Sequence, residues 1–176
     1  MMPSTVKITQ ELFLSPDFQA LSYGTRMLYV AMLAECDSAG VCTFDIDAAN
    51  DYDFSYNAMK ANRKALKDAG FVECVGASEF LMLRQGEGKA VTLPADFLLS
   101  DSFVKLKSSD QLIYLALWME SNNRVALFGK AATEKYGFNY MTIQTHIETI
   151  RQAKLLRCKD IEEYRLMPVE GLEVIS

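Results

Sequence analysis

The chain has 176 residues, of which 50% are hydrophobic and 23% are charged, a composition typical of a globular protein rather than a disordered one. Its 18 Lys and Arg residues against 23 Asp and Glu residues give a formal net charge of −5, which argues against a uniformly basic polyanion binder. No segment reaches the ~18 consecutive apolar residues of a membrane span, and the start MMPSTVKITQ lacks the pattern of a secretory signal, so we expect a cytoplasmic protein without a membrane partner.

The cysteines and the single histidine do not form a metal-ligand pattern. Cys36, Cys42, Cys74 and Cys158 contain no CxxC pair, and His146 is not closely spaced with any of them. Zinc sites need closely paired Cys or His ligands. We therefore expect reduced thiols, no metal and no cofactor.

The two parts of the chain repeat each other. Residues 6–38 align without gaps with residues 91–123, and residues 44–83 align with residues 128–167, giving 8 identities in 33 positions and 8 in 40. Chance would give roughly four or five identities in total at average composition. We therefore predict two domains of one fold, residues 1–85 and 86–176, joined by the polar segment RQGEGKA.

Each unit is predicted to contain an extended segment, a first helix, a second and third helix joined by a tight turn, and a β-hairpin. In the first unit these elements are expected at residues 6–9, from about 22, at 46–51, 56–69, 71–75 and 80–83. In the second unit they are expected at residues 91–94, from about 108, at 130–135, 140–153, 155–159 and 164–167. This order predicts an α+β, mainly helical fold of two tandem winged-helix (winged helix-turn-helix) domains that arose by internal duplication.

The first helix of each unit is predicted to be buried on all sides. Residues 27–34 and 112–119 are uninterrupted apolar runs, which a unit of about 85 residues cannot easily cover alone. We expect the two helices to pack on each other or on a second chain, which would form a homodimer; a ligand groove is the alternative. Ser108 and Gln111 are predicted to form a capping box at the start of the second of these helices.

The segment FSYNAMKANRKALKDAGFV, residues 54–72, resembles the helix–turn–helix core of winged-helix DNA-binding proteins. Ser55 is a suitable N-cap, Met59 and Leu66 are apolar at core spacing, and Gly70 can end the helix. The second unit has comparable residues at the same spacings, with Asn139 in place of the cap.

A further resemblance lies upstream, in ITQELFLSPDFQALSYGTRMLYVAML. This run is similar to the N-terminal domain of the replication initiator A family of Firmicute plasmids. The matching residues are Ile8, Leu12, Phe13, Phe18, Leu21, Ser22, Leu28 and Tyr29. The resemblance implies a protein that binds double-stranded DNA, as a plasmid or mobile-element replication initiator or a related transcriptional regulator.

The third helix of the first unit carries clustered cations. Lys60, Arg63, Lys64 and Lys67 are three or four residues apart and therefore share one face. A helix with such a face can lie in the major groove, where amide and basic side chains contact bases and phosphates. The DNA-binding residues predicted here are Ser55, Tyr56, Asn57, Lys60, Arg63, Lys64 and Lys67; the alternative is a solvated basic face without a partner.

The third helix of the second unit is neutral, because the four cations are replaced by Gln144, Ile147, Glu148 and Arg151. It either contacts DNA or faces protein or solvent. Its candidate DNA-binding residues are Asn139, Tyr140, Thr142, Gln144, Thr145 and Arg151. The turn of the second hairpin holds Asp160, Glu162 and Glu163, which phosphates would repel, so we expect little DNA binding from that turn.

Two functions are therefore open. The first is DNA binding led by the first unit; the alternative is an acidic tandem winged-helix module of the scaffold or segregation type, which binds protein and does not read DNA. An enzyme is not expected, because the single histidine cannot be placed beside a nucleophile and the acidic residues near the second helix lack acid–base partners. No catalytic residue and no small-molecule substrate are predicted.

Overall fold

The computed structural model describes residues 5–176 and has an α+β architecture. The first half, up to residue 85, contains β1 (Thr5–Thr9), α1 (Gln10–Leu14), α2 (Pro16–Gln19), α3 (Tyr23–Ala34), β2 (Val41–Thr43), α4 (Ile46–Asp51), α5 (Tyr56–Asp68), β3 (Val72–Cys74) and β4 (Glu79–Met82). The second half contains β5 (Ala90–Pro94), α6 (Ala95–Leu98), α7 (Asp101–Val104), α8 (Ser108–Glu120), β6 (Ser121–Asn122), β7 (Val125–Leu127), α9 (Lys130–Lys135), a 3₁₀ turn (Tyr140–Thr142), α10 (Ile143–Gln152), β8 (Leu156–Asp160), β9 (Glu163–Leu166) and β10 (Glu173–Ile175). Residues 1–4, part of the segment considered above for a signal, lie outside the described residues.

No helix within residues 5–176 is long and apolar enough to cross a membrane.

The order of elements from β5 to β9 follows the order from β1 to β4, with the additional strand β6 and the 3₁₀ turn. The short helices α1, α2, α6 and α7 and the strands β2, β6, β7 and β10 were not predicted. They have two to five residues each, too few for a helical or strand period to be recognised.

Two of the predicted helix starts agree with the observed caps, and the cap predicted for a third helix does not. The hydroxyl oxygen of Ser22 accepts the Thr25 amide at 3.2 Å at the start of α3, and that of Ser55 accepts the Ala58 amide at 3.2 Å at the start of α5. The predicted capping box at residues 108 and 111 is wrong, because residue 107 is the N-cap of α8 and no side chain caps it. Gln111 is buried, and its side-chain amide donates instead to the Phe103 carbonyl at 3.0 Å, since a buried amide needs a partner.

The third helix of the second half does not begin as an α-helix at residue 140. The side-chain oxygen of Asn139 accepts the Met141 amide at 2.9 Å, two residues on, whereas the Ser55 cap reaches three residues on. The shorter span gives a tight turn, and the segment Tyr140–Thr142 is a 3₁₀ helix before α10 begins.

The two halves share a sheet. Strand β5 lies in its centre and pairs antiparallel with β1 on one side and with β10 on the other. The register joins Thr5 to Pro94 and Thr9 to Ala90, with Lys7 opposite Thr92 in the middle. The remaining strands form a three-stranded sheet in the order β2-β4-β3 and a four-stranded sheet in the order β6-β7-β9-β8.

Helices α3 and α8 pack against each other within the single chain. Every residue in 27–34 is at most 7% exposed, and every residue in 112–119 is at most 3% exposed. The apolar runs are therefore covered by the chain itself, which is the first of the two packing alternatives. A homodimer through these helices and the division into two domains at residue 85 both stay predictions.

One tyrosine–glutamate pair occurs at corresponding places in both halves. The Tyr52 hydroxyl donates to Glu35 at 2.7 Å, and the Tyr136 hydroxyl donates to Glu120 at 2.7 Å. Each tyrosine also stacks on the phenylalanine that precedes the second helix of its half, Phe44 or Phe128, with ring centroids 5.9 and 6.0 Å apart. These contacts tie the second helix of each half to the end of its first helix.

The carboxylate of Glu120 also joins the two halves. It accepts hydrogen bonds from Lys135 Nζ at 2.6 Å and from Gln10 Nε2, at the start of α1, at 3.1 Å. Burial raises the pKa of Glu120, but the hydrogen bonds from Lys135 and Tyr136 and the nearby lysine charges outweigh it, so the pKa lies below its ordinary value of 4.5.

A carboxylate whose pKa is lower in the folded than in the unfolded state stabilises the fold at pH values above its unfolded pKa. This stabilisation is lost as the pH falls through the folded pKa. We therefore expect the difference in free energy of unfolding between the wild type and Glu120→Gln to be largest above about pH 5 and to shrink at lower pH. Denaturant titrations across this range measure it. The matched control is Glu35→Gln, because Glu35 has its tyrosine but no lysine ion pair among the described residues; a control with the same pH dependence would contradict the assignment to the Lys135 contact.

Candidate nucleic-acid interface

Helix α5 is fixed in place by one buried side and one polar contact. Met59 and Leu66 are at most 2% exposed and point into the core. On an adjoining side, the Thr25 hydroxyl on α3 donates to the Asn62 side-chain oxygen at 3.0 Å. The remaining face of α5 is turned to solvent, and it carries the clustered cations.

We call Lys60, Arg63, Lys64 and Lys67 the α5 cationic face. The three lysines are exposed. Lys64 forms an ion pair with Asp68 at 2.5 Å, whereas Lys60 and Lys67 have no carboxylate partner among residues 5–176. Two of the three exposed charges are thus available to an anion.

Arg63 has a different role from the lysines. It is half-buried, its guanidinium donates to the Phe44 carbonyl at 3.3 Å, and its Cζ lies over the Phe80 ring, 5.1 Å from the ring centroid. The stem of Arg63 therefore packs between the helix and the hairpin, as an apolar residue would at this position. Its charge still faces the groove beside the helix.

A groove of about 550 Å³ separates α5 from the β3–β4 hairpin. Its lining residues are Lys60, Ala61, Arg63, Lys64, Lys67, Cys74, Ala77 and Phe80. The floor is apolar and one wall is cationic. A surface of this kind suits a partner with an anionic backbone and flat apolar groups.

The other predicted residues of the first half lie at the N-terminal end of α5. Ser55 is the N-cap, Tyr56 is 55% exposed and Asn57 is exposed. The structure thus brings all seven of these residues onto one helix and its cap. An asparagine amide and a tyrosine at the start of a helix are in the place from which a groove-bound helix contacts base edges.

In the second half most of the predicted residues are occupied by partners within the chain. The Tyr140 hydroxyl donates to Glu162 at 2.6 Å, and the Gln144 amide donates to the Tyr164 hydroxyl at 3.1 Å. Arg151 donates to both carboxylate oxygens of Glu148, at 2.8 and 2.6 Å, which largely neutralises both charges.

The smaller polar residues of that half are less constrained. Thr142 and Thr145 are exposed on α10 and the turn before it, and Asn139 is used as the cap described above. His146 bonds through Nδ1 to Asp110 at 2.6 Å; this aspartate is 3% exposed, so the pair joins α10 to α8. The arrangement gives His146 a structural role on the inner side of the helix.

Two groups of exposed residues in the second half were missed from the sequence. One is apolar: Leu127, Met141 and Ile161 are 69%, 86% and 89% exposed. The other is cationic and lies outside the third helix, at Lys154, Arg157 and Arg165. The signal that identifies the two arginines is the strand alternation, in which Arg157 follows buried Leu156 and Arg165 lies between buried Tyr164 and Leu166, so both point to the outer face of the hairpin.

Within residues 5–176, no three His, Cys, Asp or Glu side chains are grouped so that they could hold a metal ion. The acidic residues around α4 border an open groove that also exposes Val41 and Ala48. No family model, no curated protein and no solved structure matches the chain at a significant level.

Proposed function

We propose that the chain is a tandem winged-helix protein that binds double-stranded DNA through α5, as a plasmid or mobile-element replication initiator or a related transcriptional regulator. The winged-helix assignment is supported by the order of a helix, a helix–turn–helix and a hairpin in each half. The initiator or regulator role is supported by the resemblance of residues 8–33 to the replication initiator A family.

The observation that carries the DNA-binding proposal is the α5 cationic face. Lys60 and Lys67 are exposed cations without an ion-pair partner among the described residues, at the rim of a groove whose floor contains Phe80. The face stands on a helix that is anchored on its other sides and has its N-terminal turn free. Such a helix can enter the major groove and place its lysines against phosphates.

The test is the salt dependence of binding to duplex DNA. Each neutralised phosphate gives a slope of about −0.9 in a plot of log K against log of the salt concentration, so the two lysines that are unpaired among the described residues give about −1.8, and the slope is about −3.6 if Lys64 and Arg63 also take part. We therefore expect affinity to fall at least about 12-fold between about 50 and 200 mM salt. Fluorescence anisotropy with a labelled duplex measures the slope.

The second candidate is the protein-interaction module, and the exposed apolar side chains of the second half favour it. Leu127, Met141 and Ile161 are 69%, 86% and 89% exposed, and burying apolar side chains of this kind against a partner is favourable. If no DNA complex forms at about 50 mM salt while sedimentation shows tight self-association, the interaction module replaces the DNA-binding proposal.

A further inference from the structure

Two arginines lie side by side on the outer face of the second hairpin. In the antiparallel pairing of β8 and β9, Arg157 is directly opposite Arg165. The neighbouring pair Leu156 and Leu166 is buried, so the arginines point away from the core. Directly opposed residues have Cβ atoms about 5 Å apart, and two like charges at that distance destabilise the sheet.

Neither arginine has a carboxylate partner among the described residues. The acidic residues that could neutralise them are engaged elsewhere: Glu163 binds Lys159 at 2.7 Å, and Glu162 accepts the Tyr140 hydroxyl at 2.6 Å. Glu162 is therefore held by Tyr140, and Glu163, on the same face of the hairpin as Arg165, is held by Lys159, so the two arginines keep their charges on that outer face.

A third cation occupies a strained position next to them. Lys154 follows the C-cap of α10 with φ +63°, a left-handed conformation that favours glycine. The corresponding residue of the first half is Gly70, with φ +74°, which ends α5 as predicted. Lys154 and Arg157 line one groove of about 530 Å³ with Arg151. A strained lysine beside two unpaired arginines indicates a role other than stability.

We propose that Lys154, Arg157 and Arg165, the β8–β9 cationic surface, bind the phosphodiester backbone of duplex DNA. This inference rests on the proposal that the chain binds DNA, and it gives the second half a contact outside its third helix. The three cations are exposed on two paired strands and at a helix end, an arrangement that suits a row of phosphates better than one enclosed anion. In the first half, Glu73 and Leu81 form the corresponding strand pair, so this surface belongs to the second half alone.

The first experiment compares the salt slope of duplex binding for two double variants. Arg157→Ala with Arg165→Ala, and separately Lys60→Ala with Lys67→Ala, each remove two cations and each should reduce the magnitude of the slope by about 1.8. Removing the opposed arginines should also raise the melting temperature by about 1 °C, which verifies the fold. The charge-matched control is Lys105→Ala with Lys107→Ala, in the loop before α8, for which we expect no change in the slope.

The outcomes separate the two proposals. A slope that is unchanged in the arginine variant overturns the β8–β9 surface, even if the lysine variant binds weakly. A slope that changes in the arginine variant and not in the lysine variant supports the surface and rejects α5 as the principal contact. A wild-type protein that does not bind DNA at about 50 mM salt overturns both.

The second experiment uses Lys154→Gly, which relieves strain and removes a cation. We expect the melting temperature to rise by about 2–4 °C while affinity at about 50 mM salt falls roughly tenfold. Asp53→Gly is the matched control, because Asp53 has φ +61° and its counterpart Gly137 has φ +74°; it should gain stability without losing affinity. Equal affinities of Lys154→Gly and the wild type would overturn the role of Lys154.

Discussion

We expect the double substitution Lys60→Glu with Lys67→Glu to lower the affinity for duplex DNA by more than about 100-fold at about 50 mM salt. A slope of about −0.9 per phosphate contact corresponds to roughly a tenfold contribution per contact at this salt concentration, relative to 1 M salt. Two contacts are lost, and the new carboxylates add repulsion. These lysines are chosen because Lys64 is already paired with Asp68, whereas they have no partner among the described residues.

Anisotropy titrations of the variant and the wild type against the same duplex provide the measurement. The control is Lys105→Glu with Lys107→Glu, which changes the net charge by the same amount elsewhere on the surface. Circular dichroism should show both variants folded, since all four lysines are exposed. Equal losses of affinity in the two double variants would show that only net charge matters and would reject α5 as the contact.

The other large effect is expected in the packing of α3 against α8. Leu115 on α8 is fully buried, and Leu115→Ala should lower the free energy of unfolding by about 2–5 kcal/mol, because it leaves a cavity in a closely packed core. Leu127→Ala, at a position 69% exposed, is the control and should change the free energy by less than about 0.5 kcal/mol. Denaturant titration gives both values.

The same experiment tests whether the halves unfold together. Trp118, 3% exposed, reports on the second half by fluorescence, and Cys36 and Cys42, at most 7% exposed, report on the first half by protection from a thiol reagent. We expect both probes of Leu115→Ala to shift to the same lower denaturant midpoint, since the halves share a sheet and a core. A first half that keeps its midpoint would show two independent units.

The parts of the fold that the sequence predicts well are those with a long period or a strong local signal. The helix bounds 46–51 and 130–135 agree with the structure, as do the start of the first helix at about residue 22 and the cap at Ser55. The prediction of a capping box at residues 108 and 111 is wrong because cap motifs compete with tertiary contacts. The Gln111 side-chain amide donates to the buried Phe103 carbonyl instead. Strand β10 was not predicted, because its pairing with β5 joins residues about 80 positions apart.

In the candidate site, too, the sequence predicts the features set by local spacing and misses those set by tertiary contacts. Helical spacing correctly placed the cations of α5 on one face, because positions three and four apart are neighbours on any helix. Spacing could not show that Arg63 packs on Phe80, that Arg151 is neutralised by Glu148, or that Tyr140 is bonded to Glu162. The opposed pair Arg157 and Arg165 depends on strand register, which the sequence of a single hairpin with a bulge does not determine.

The register of β1 against β5 explains how the two halves can carry different cationic surfaces. Thr5, Lys7 and Thr9 align with residues 90, 92 and 94, and the register joins 5 to 94, 7 to 92 and 9 to 90, so the strand pair is symmetric about its centre. This is the register of a two-fold dimer interface. In a homodimer, any substitution appears on both sides of the axis. With both sides encoded in one chain, α5 can be basic and α10 neutral, while the opposed arginines stand only on the second hairpin.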